Sequence, residues 1–212
     1  MTARLLGTGA LILMFALHES ALADSIYDVT LDTSSLSGLD STLAFDFIGG
    51  GGMQSNSVSI ADFSTDGTLV SGGMNSGSVT GSLPGTAILT TAGFLNELQQ
   101  GMTLGSKISF QLDATTNAPT GSSLPDTFSF FILDPTASYS LLTTTDPTTA
   151  NSLFTLQIDG SAGGLTGIYS SQPAVPVTLE TPTSVPEPEE LGLWLTALLG
   201  VGLAMRLRRQ LV

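Results

Sequence analysis

Between Asp24 and Val185 the groups that could do chemistry are fourteen carboxylates, one lysine and a large supply of hydroxyls. The only histidine, His18, lies ahead of this segment, and the chain has no cysteine. A Ser-His-Asp or Cys-His mechanism therefore has no base, and thiolate or imidazole metal sites have no ligands. A Ser-Lys pair could use only Lys107, beside Ser106 and Ser109, where a solvated lysine at a sheet edge is the simpler reading. Two facing carboxylates could hydrolyse a glycoside, but none of the fourteen stands in a distinctive motif. We expect no enzyme and no resident cofactor.

Calcium requires several closely spaced oxygens. "STDGTL" and "QIDGSAGG" are loop-like, but each offers a single carboxylate, and the "GGGG" run lacks the spacing of a calcium β-roll. A calcium site shared between loops stays open, with no ligands assigned. The glycine clusters also lack the strand-turn-helix setting of a phosphate-binding loop. Tyr139 and Tyr169 lie in loop-like stretches and could stack on sugar, although capping the core is the simpler reading for each.

These groups are held by segments with a two-residue rhythm. In "IYDVTLDT", Tyr27, Val29 and Leu31 share one face. Leu43, Phe45 and Phe47 do so in "LAFDF", and Val58 and Ile60 in "VSIADF". The pattern returns with Ile108, Phe110 and Leu112 in "KISFQLDA" and with Phe154, Leu156 and Ile158 in "LFTLQID". Such alternation with one polar face predicts antiparallel sheet. "TFSFFIL" is apolar on both faces, which predicts a central strand. "VPVTLE", with Val175, Val177 and Leu179, is predicted at an edge because Pro176 cannot donate to a ladder. "GFLNELQQG" is the one helix candidate in the middle of the chain, with Phe94, Leu95 and Leu98 on one face. Turn signals such as Asp66-Gly67, Pro84-Gly85 and Asp134-Pro135 separate the strands. The expected fold is mostly β: one antiparallel, jelly-roll-like β-sandwich over 24–180.

The whole chain carries a formal charge of −13 from five cations and eighteen acids. Four of the cations (Arg4, Arg206, Arg208, Arg209) and four of the acids (Glu19, Glu187, Glu189, Glu190) lie at the ends, so the middle keeps the same −13. Such a surface repels nucleic acid and anionic lipid. With no disulfide available, stability must come from the core.

The ends carry addresses. Arg4, the apolar run Leu5 to Leu17, and the small residues Ala21 and Ala23 have the order of a secretory signal peptide over 1–23, with cleavage before Asp24 by signal peptidase. At the other end, a proline-rich spacer over 181–188 leads to a transmembrane helix over 189–212. Its uncharged run from Leu191 to Met205 makes a helix of about 22 Å, which Leu207, Leu211 and Val212 extend. Arg206, Arg208 and Arg209 hold that end in the cytoplasm, so Glu187 faces out. Trp194 lies within the apolar run.

"VPEP" at Val185, Pro186, Glu187 and Pro188, then the Leu/Gly/Ala run with Trp194, then "RLRR", resembles a PEP-CTERM sorting signal. The resemblance covers Val185 to about Arg209. It implies a Gram-negative host that makes exopolysaccharide, recognition by an exosortase, and transfer to the cell envelope surface or the biofilm matrix. "YDVTLDTSSLSG", "ISFQLDAT" and "FILDPTASYSLLTTTDP" are similar to ectodomains that carry this tail, which implies a β-rich fold and no assigned activity. The expected role is an exported, non-enzymatic surface or matrix protein. A carbohydrate- or calcium-dependent module binding exopolysaccharide stays open, as does an envelope hydrolase built on two facing carboxylates.

Overall fold

The computed structural model describes residues 24–51, 55–117, 124–159 and 165–181. The chain divides into two compact units, Met1–Glu180 and Thr181–Val212. All described residues except Thr181 belong to the first. Among them no helix is long and apolar enough to cross a membrane. The expected signal peptide, the expected spacer from Pro182 onward and the apolar C-terminal run lie outside the described residues.

Fifteen strands succeed one another among the described residues. They are β1 (Ser25–Asp32), β2 (Asp40–Ile48), β3 (Ser57–Thr65), β4 (Thr68–Leu69), β5 (Met74–Ser76), β6 (Val79–Gly81), β7 (Ala87–Thr90) and β8 (Leu95–Thr103). Then come β9 (Lys107–Ala114), β10 (Asp126–Leu133), β11 (Thr143–Thr144), β12 (Phe154–Ile158), β13 (Leu165–Ile168), β14 (Ser171–Gln172) and β15 (Val177–Glu180). One layer has the order β15-β1-β9-β3-β7-β6, and the other β13-β12-β10-β2-β8-β4, with β5 also on β8. The pairings in both layers are antiparallel. β11 and β14 form a separate short pair.

The layers meet through the alternating apolar residues. Val29, Leu31, Ile108, Phe110 and Leu112 come from the first layer. Leu43, Phe45, Phe47, Phe128, Phe130, Phe154 and Leu156 come from the second. Phe45 lies edge-on to Phe110 across the interface, with centroids 5.6 Å apart, and 4.9 Å from Phe130 in its own layer. A bulge in β3 puts Asp62 at φ +51° and lets Phe63 stack on Phe110 at 6.4 Å.

The strand assignments from periodicity hold in detail. β10, apolar on both faces, lies between β12 and β2, and its Phe131 and Leu133 are half-buried on the outer face. β15 is an edge strand, and Pro176 contributes only its carbonyl, which accepts from the Asp32 N–H at 3.0 Å.

The helix expected in "GFLNELQQG" is corrected: Leu95–Thr103 is strand β8, paired with β2 along its length. Asn96, Leu98, Gln100 and Met102 point inward, and Phe94 is 78% exposed. Two buried amides obscured the alternation, and both find acceptors. Asn96 Nδ2 donates to the carbonyls of Phe47 and Gly93, and Gln100 Nε2 to those of Val70 and Gly101. A buried amide with satisfied hydrogen bonds can occupy a core position that a hydropathy pattern reads as polar.

The seam predicts where stability resides. Replacing Phe45 by Ala should cost about 3–5 kcal/mol, because a fully buried ring leaves a cavity between two rigid layers. Phe131→Ala, on the half-buried outer face, should cost markedly less. Urea unfolding of both variants checks the order, and equal losses would contradict an interface centred on Phe45.

Candidate functional site: a cross-strand carboxyl pair

The inward positions of β2 and β8 dictate what the other face carries. With Phe45 and Phe47 inward, Asp46 points outward. With Asn96 and Leu98 inward, so does Glu97. The register of the two strands sets Asp46 directly opposite Glu97. On the other flank of Asp46 stands Ser129 of β10, then Thr155 of β12, then Gly167 of β13. Ser76 of β5 pairs with Glu97 at the far end of this row. Tyr169 reaches back over Gly167, and its hydroxyl lies 3.1 Å from Thr155 Oγ1. A Cβ at position 167 would stand 2.5 Å from that hydroxyl, so a larger residue there would push the Tyr169 ring aside.

Like charges directly opposite on a sheet are destabilising. Gln99 Nε2 donates to Glu97 Oε1 at 2.7 Å, whereas Asp46 Oδ1 is buried without a hydrogen-bond partner. Burial first, then the Glu97 charge and a hydrogen bond with Glu97, push the Asp46 carboxyl up to about 7. Near neutrality the pair thus holds a proton that two isolated surface carboxylates would release. Two carboxyls this close leave no room for a sugar between them; a retaining glycosidase keeps its pair roughly 5 Å apart and an inverting one more. What the arrangement can do is take up and release a proton.

Other carboxylates lock turns. Asp134 accepts from Thr136 Oγ1 at 2.5 Å and from the N–H groups of Ser138 and Tyr139, each at 2.7 Å. The Thr136 hydroxyl, followed by those backbone donors, holds Asp134 down at about 2. Asp66 accepts from Ser106 Oγ at 2.5 Å and the Lys107 N–H at 2.8 Å, and these bonds, Ser106 foremost, likewise hold it at about 2. Burial raises Asp146, but hydrogen bonds from Ser152 and Thr148 outweigh it and the net displacement is downward. Asp126 accepts from Gly50 N–H and Asn56 Nδ2, each at 2.7 Å. There the backbone of Gly50 passes so close to the Leu124 carbonyl that a Cβ would collide with it.

The residues singled out from sequence are scattered across the molecule. Asp24 is exposed, just ahead of β1. Ala21, Ala23, Val185, Pro186, Glu187, Pro188, Arg206, Arg208 and Arg209 lie outside the described residues. Ser106 is committed to Asp66, and Lys107 begins β9, which lies inside its layer, so the sheet-edge placement of Lys107 is corrected to the end of an internal strand. Tyr139 is 77% exposed, which corrects its expected role as a core cap. Tyr169 is half-buried beside Thr155. Among the described residues no three acidic, histidine or cysteine side chains could together hold a metal ion. Glu97 escaped notice because its segment read as a helix, and Asp46 has no partner until β8 is paired.

Compared with protein-family models, with curated proteins and with solved structures, the chain matches none.

The carboxyls predict an asymmetric pH profile. Asp46 is raised, so the folded state binds more protons than the unfolded one between about pH 4 and 7, and stability falls as pH rises through that window. The slope is at most about 1.4 kcal/mol per pH unit. Asp66 and Asp134 are held at about 2, so their contribution is present above about pH 4 and is lost as pH falls toward 2, and Asp146, also lowered, acts in the same direction. Stability should therefore peak in mildly acidic solution. Chemical denaturation across pH checks this: Asp46→Asn should make the arm between about pH 4 and 7 clearly shallower, leaving only what the other raised carboxyl, Asp113, contributes, and should leave the acid arm in place. A neutral arm of unchanged slope in Asp46→Asn would assign it to other groups.

Proposed function

We propose that this protein is exported, has no enzymatic role, and is delivered to the cell envelope surface or extracellular matrix by an exosortase that reads its C-terminal tail. The observation that carries the reading is the order of parts in the sequence from Val185 to Arg209: Val-Pro-Glu-Pro, an apolar run, then clustered arginines. The position of the last described strand supports it. β15 stops at Glu180, paired with Asp28 of β1, and the proline-rich spacer begins directly after it. The chain passes repeatedly between the layers, with β1, β3 and β9 in one and β2, β8 and β10 in the other. We read this alternation as jelly-roll-like.

The tail separates into two functions. Replacing Pro186, Glu187 and Pro188 with alanine leaves the apolar run intact, so membrane insertion should persist. Release should fail, because alanines allow the helix to extend backward through the recognition segment. Replacing Arg206, Arg208 and Arg209 with glutamate should instead disturb orientation, which Lys and Arg dominate. Fractionation with a tag on the β-rich domain, in a host carrying an exosortase, distinguishes the two. An alanine variant shed like wild type would reduce the tail to an ordinary anchor.

A second reading, a module that binds matrix polysaccharide, is favoured by Tyr139. It is exposed, and the Asp134 carboxylate fixes its backbone, so an aromatic face stands on a turn already ordered before any ligand arrives. Shed protein should be retained on exopolysaccharide, and Tyr139→Ala should cut retention about tenfold without lowering the melting temperature. Unchanged retention in Tyr139→Ala would remove the support for this reading.

A further inference from the structure

The start of β1 holds a second unmet carboxylate. Asp113 lies on the outer face of β9, between Ile26 of β1 and Ser59 of β3, and its Oδ1 is buried without a hydrogen-bond partner. Burial, and then the negative charge of Asp24, push its carboxyl up. Asp24 precedes Ser25, which pairs with Ala114, so Asp24 is a diagonal neighbour of Asp113 at about 7–8 Å by sheet spacing. Asp28 lies farther along the same face and accepts from Gln111 Nε2 at 3.2 Å. The one cation among the described residues, Lys107, pairs with Asp32 at the opposite end of β9, roughly 20 Å away. Among the described residues, this end of the sheet thus gathers three carboxylates with no cationic side chain beside them.

We propose that the α-ammonium group created at Asp24, when the leader is removed after Ala23, is the partner that Asp113 lacks. The inference rests on the proposed export of the protein. In the precursor the Asp24 nitrogen is an uncharged amide. Hydrolysis of the Ala23–Asp24 bond by water leaves a carboxylate on the leader and an amine on Asp24, which takes up a proton at neutral pH. An ordinary α-amine titrates near pH 7.7–8.0. Pairing with Asp113 requires its carboxylate to reach within about 4–6 Å of the new amine, a reach its side chain supplies across the diagonal, and a carboxylate there favours the charged form, so the amine should titrate higher. The ion pair should then strengthen the first strand below about pH 8 and fade as the amine deprotonates. Cleavage becomes a step that completes the fold as well as one that frees it from the leader.

The test uses the chain beginning at Asp24 and retaining its C-terminal tail, in detergent. The pH dependence of N-terminal acylation, read by mass spectrometry, gives the titration of the α-amine. It should lie about half a pH unit or more above the ordinary value, return to it in Asp113→Asn, and stay raised in Asp28→Asn. Acetylating the α-amine should lower the melting temperature of the parent chain and leave that of Asp113→Asn unchanged. An amine that titrates identically in the parent and Asp113→Asn, or acetylation that lowers both melting temperatures equally, overturns the pairing. N-terminal sequencing of exported protein separates the two readings. A first residue other than Asp24 defeats the cleavage site, whereas a start at Asp24 with an unshifted amine defeats the ion pair alone.

Discussion

The contact between Phe45 and Phe110 is the constraint on which the rest of the structure depends. The chain has no cysteine to cross-link its layers. Their association rests on apolar burial, and the rings of Phe45, Phe110, Phe128, Phe130 and Phe154 form its centre. Aromatic side chains bury large areas with few rotatable bonds, so they give a sheet interface both energy and definition. Once those rings face inward, every neighbouring residue on the same strands is assigned to the other face.

That assignment explains the carboxyl pair. A slip of one residue in β2 or β8 would turn Phe45 or Leu98 out of the core, so the register cannot adjust to separate Asp46 from Glu97. The core imposes the juxtaposition, and a bound proton relieves the repulsion. Asp113 stands in a similar position on the other layer, opposite an isoleucine that offers it no donor. The orphaned oxygens of Asp46 and Asp113 are consequences of one rule: side-chain direction in a strand is decided by the buried face, and the outer face receives the residues that remain.

The acidic composition is largely spent elsewhere. Asp66, Asp134, Asp146 and Asp126 bind backbone N–H groups, hydroxyls or amides at turns and loop crossings. A carboxylate accepting several N–H and O–H bonds closes a turn that would otherwise leave donors to solvent. This chain uses that device where a more basic protein would place ion pairs. The excess of negative charge therefore has a structural use alongside its effect on solubility.

Much was legible in the sequence because strand periodicity is local. Alternation alone placed Tyr27, Leu43, Phe45, Ile108, Phe110 and Phe154 in the core, made β10 central, and put β15 at an edge through Pro176. The absence of cysteine, and of histidine after His18, bounded the chemistry in the same way. Where alternation was disguised, sequence failed: Asn96 and Gln100 are buried amides, and half of their acceptors, the carbonyls of Phe47 and Val70, come from distant segments. The exposure of Tyr139, the pairing of Asp46 with Glu97, and the isolation of Asp113 from Lys107 were likewise decided by tertiary structure. Each depends on which strand lies beside which and in what register, and long-range packing sets that, since no local pattern encodes a residue's partner on another strand.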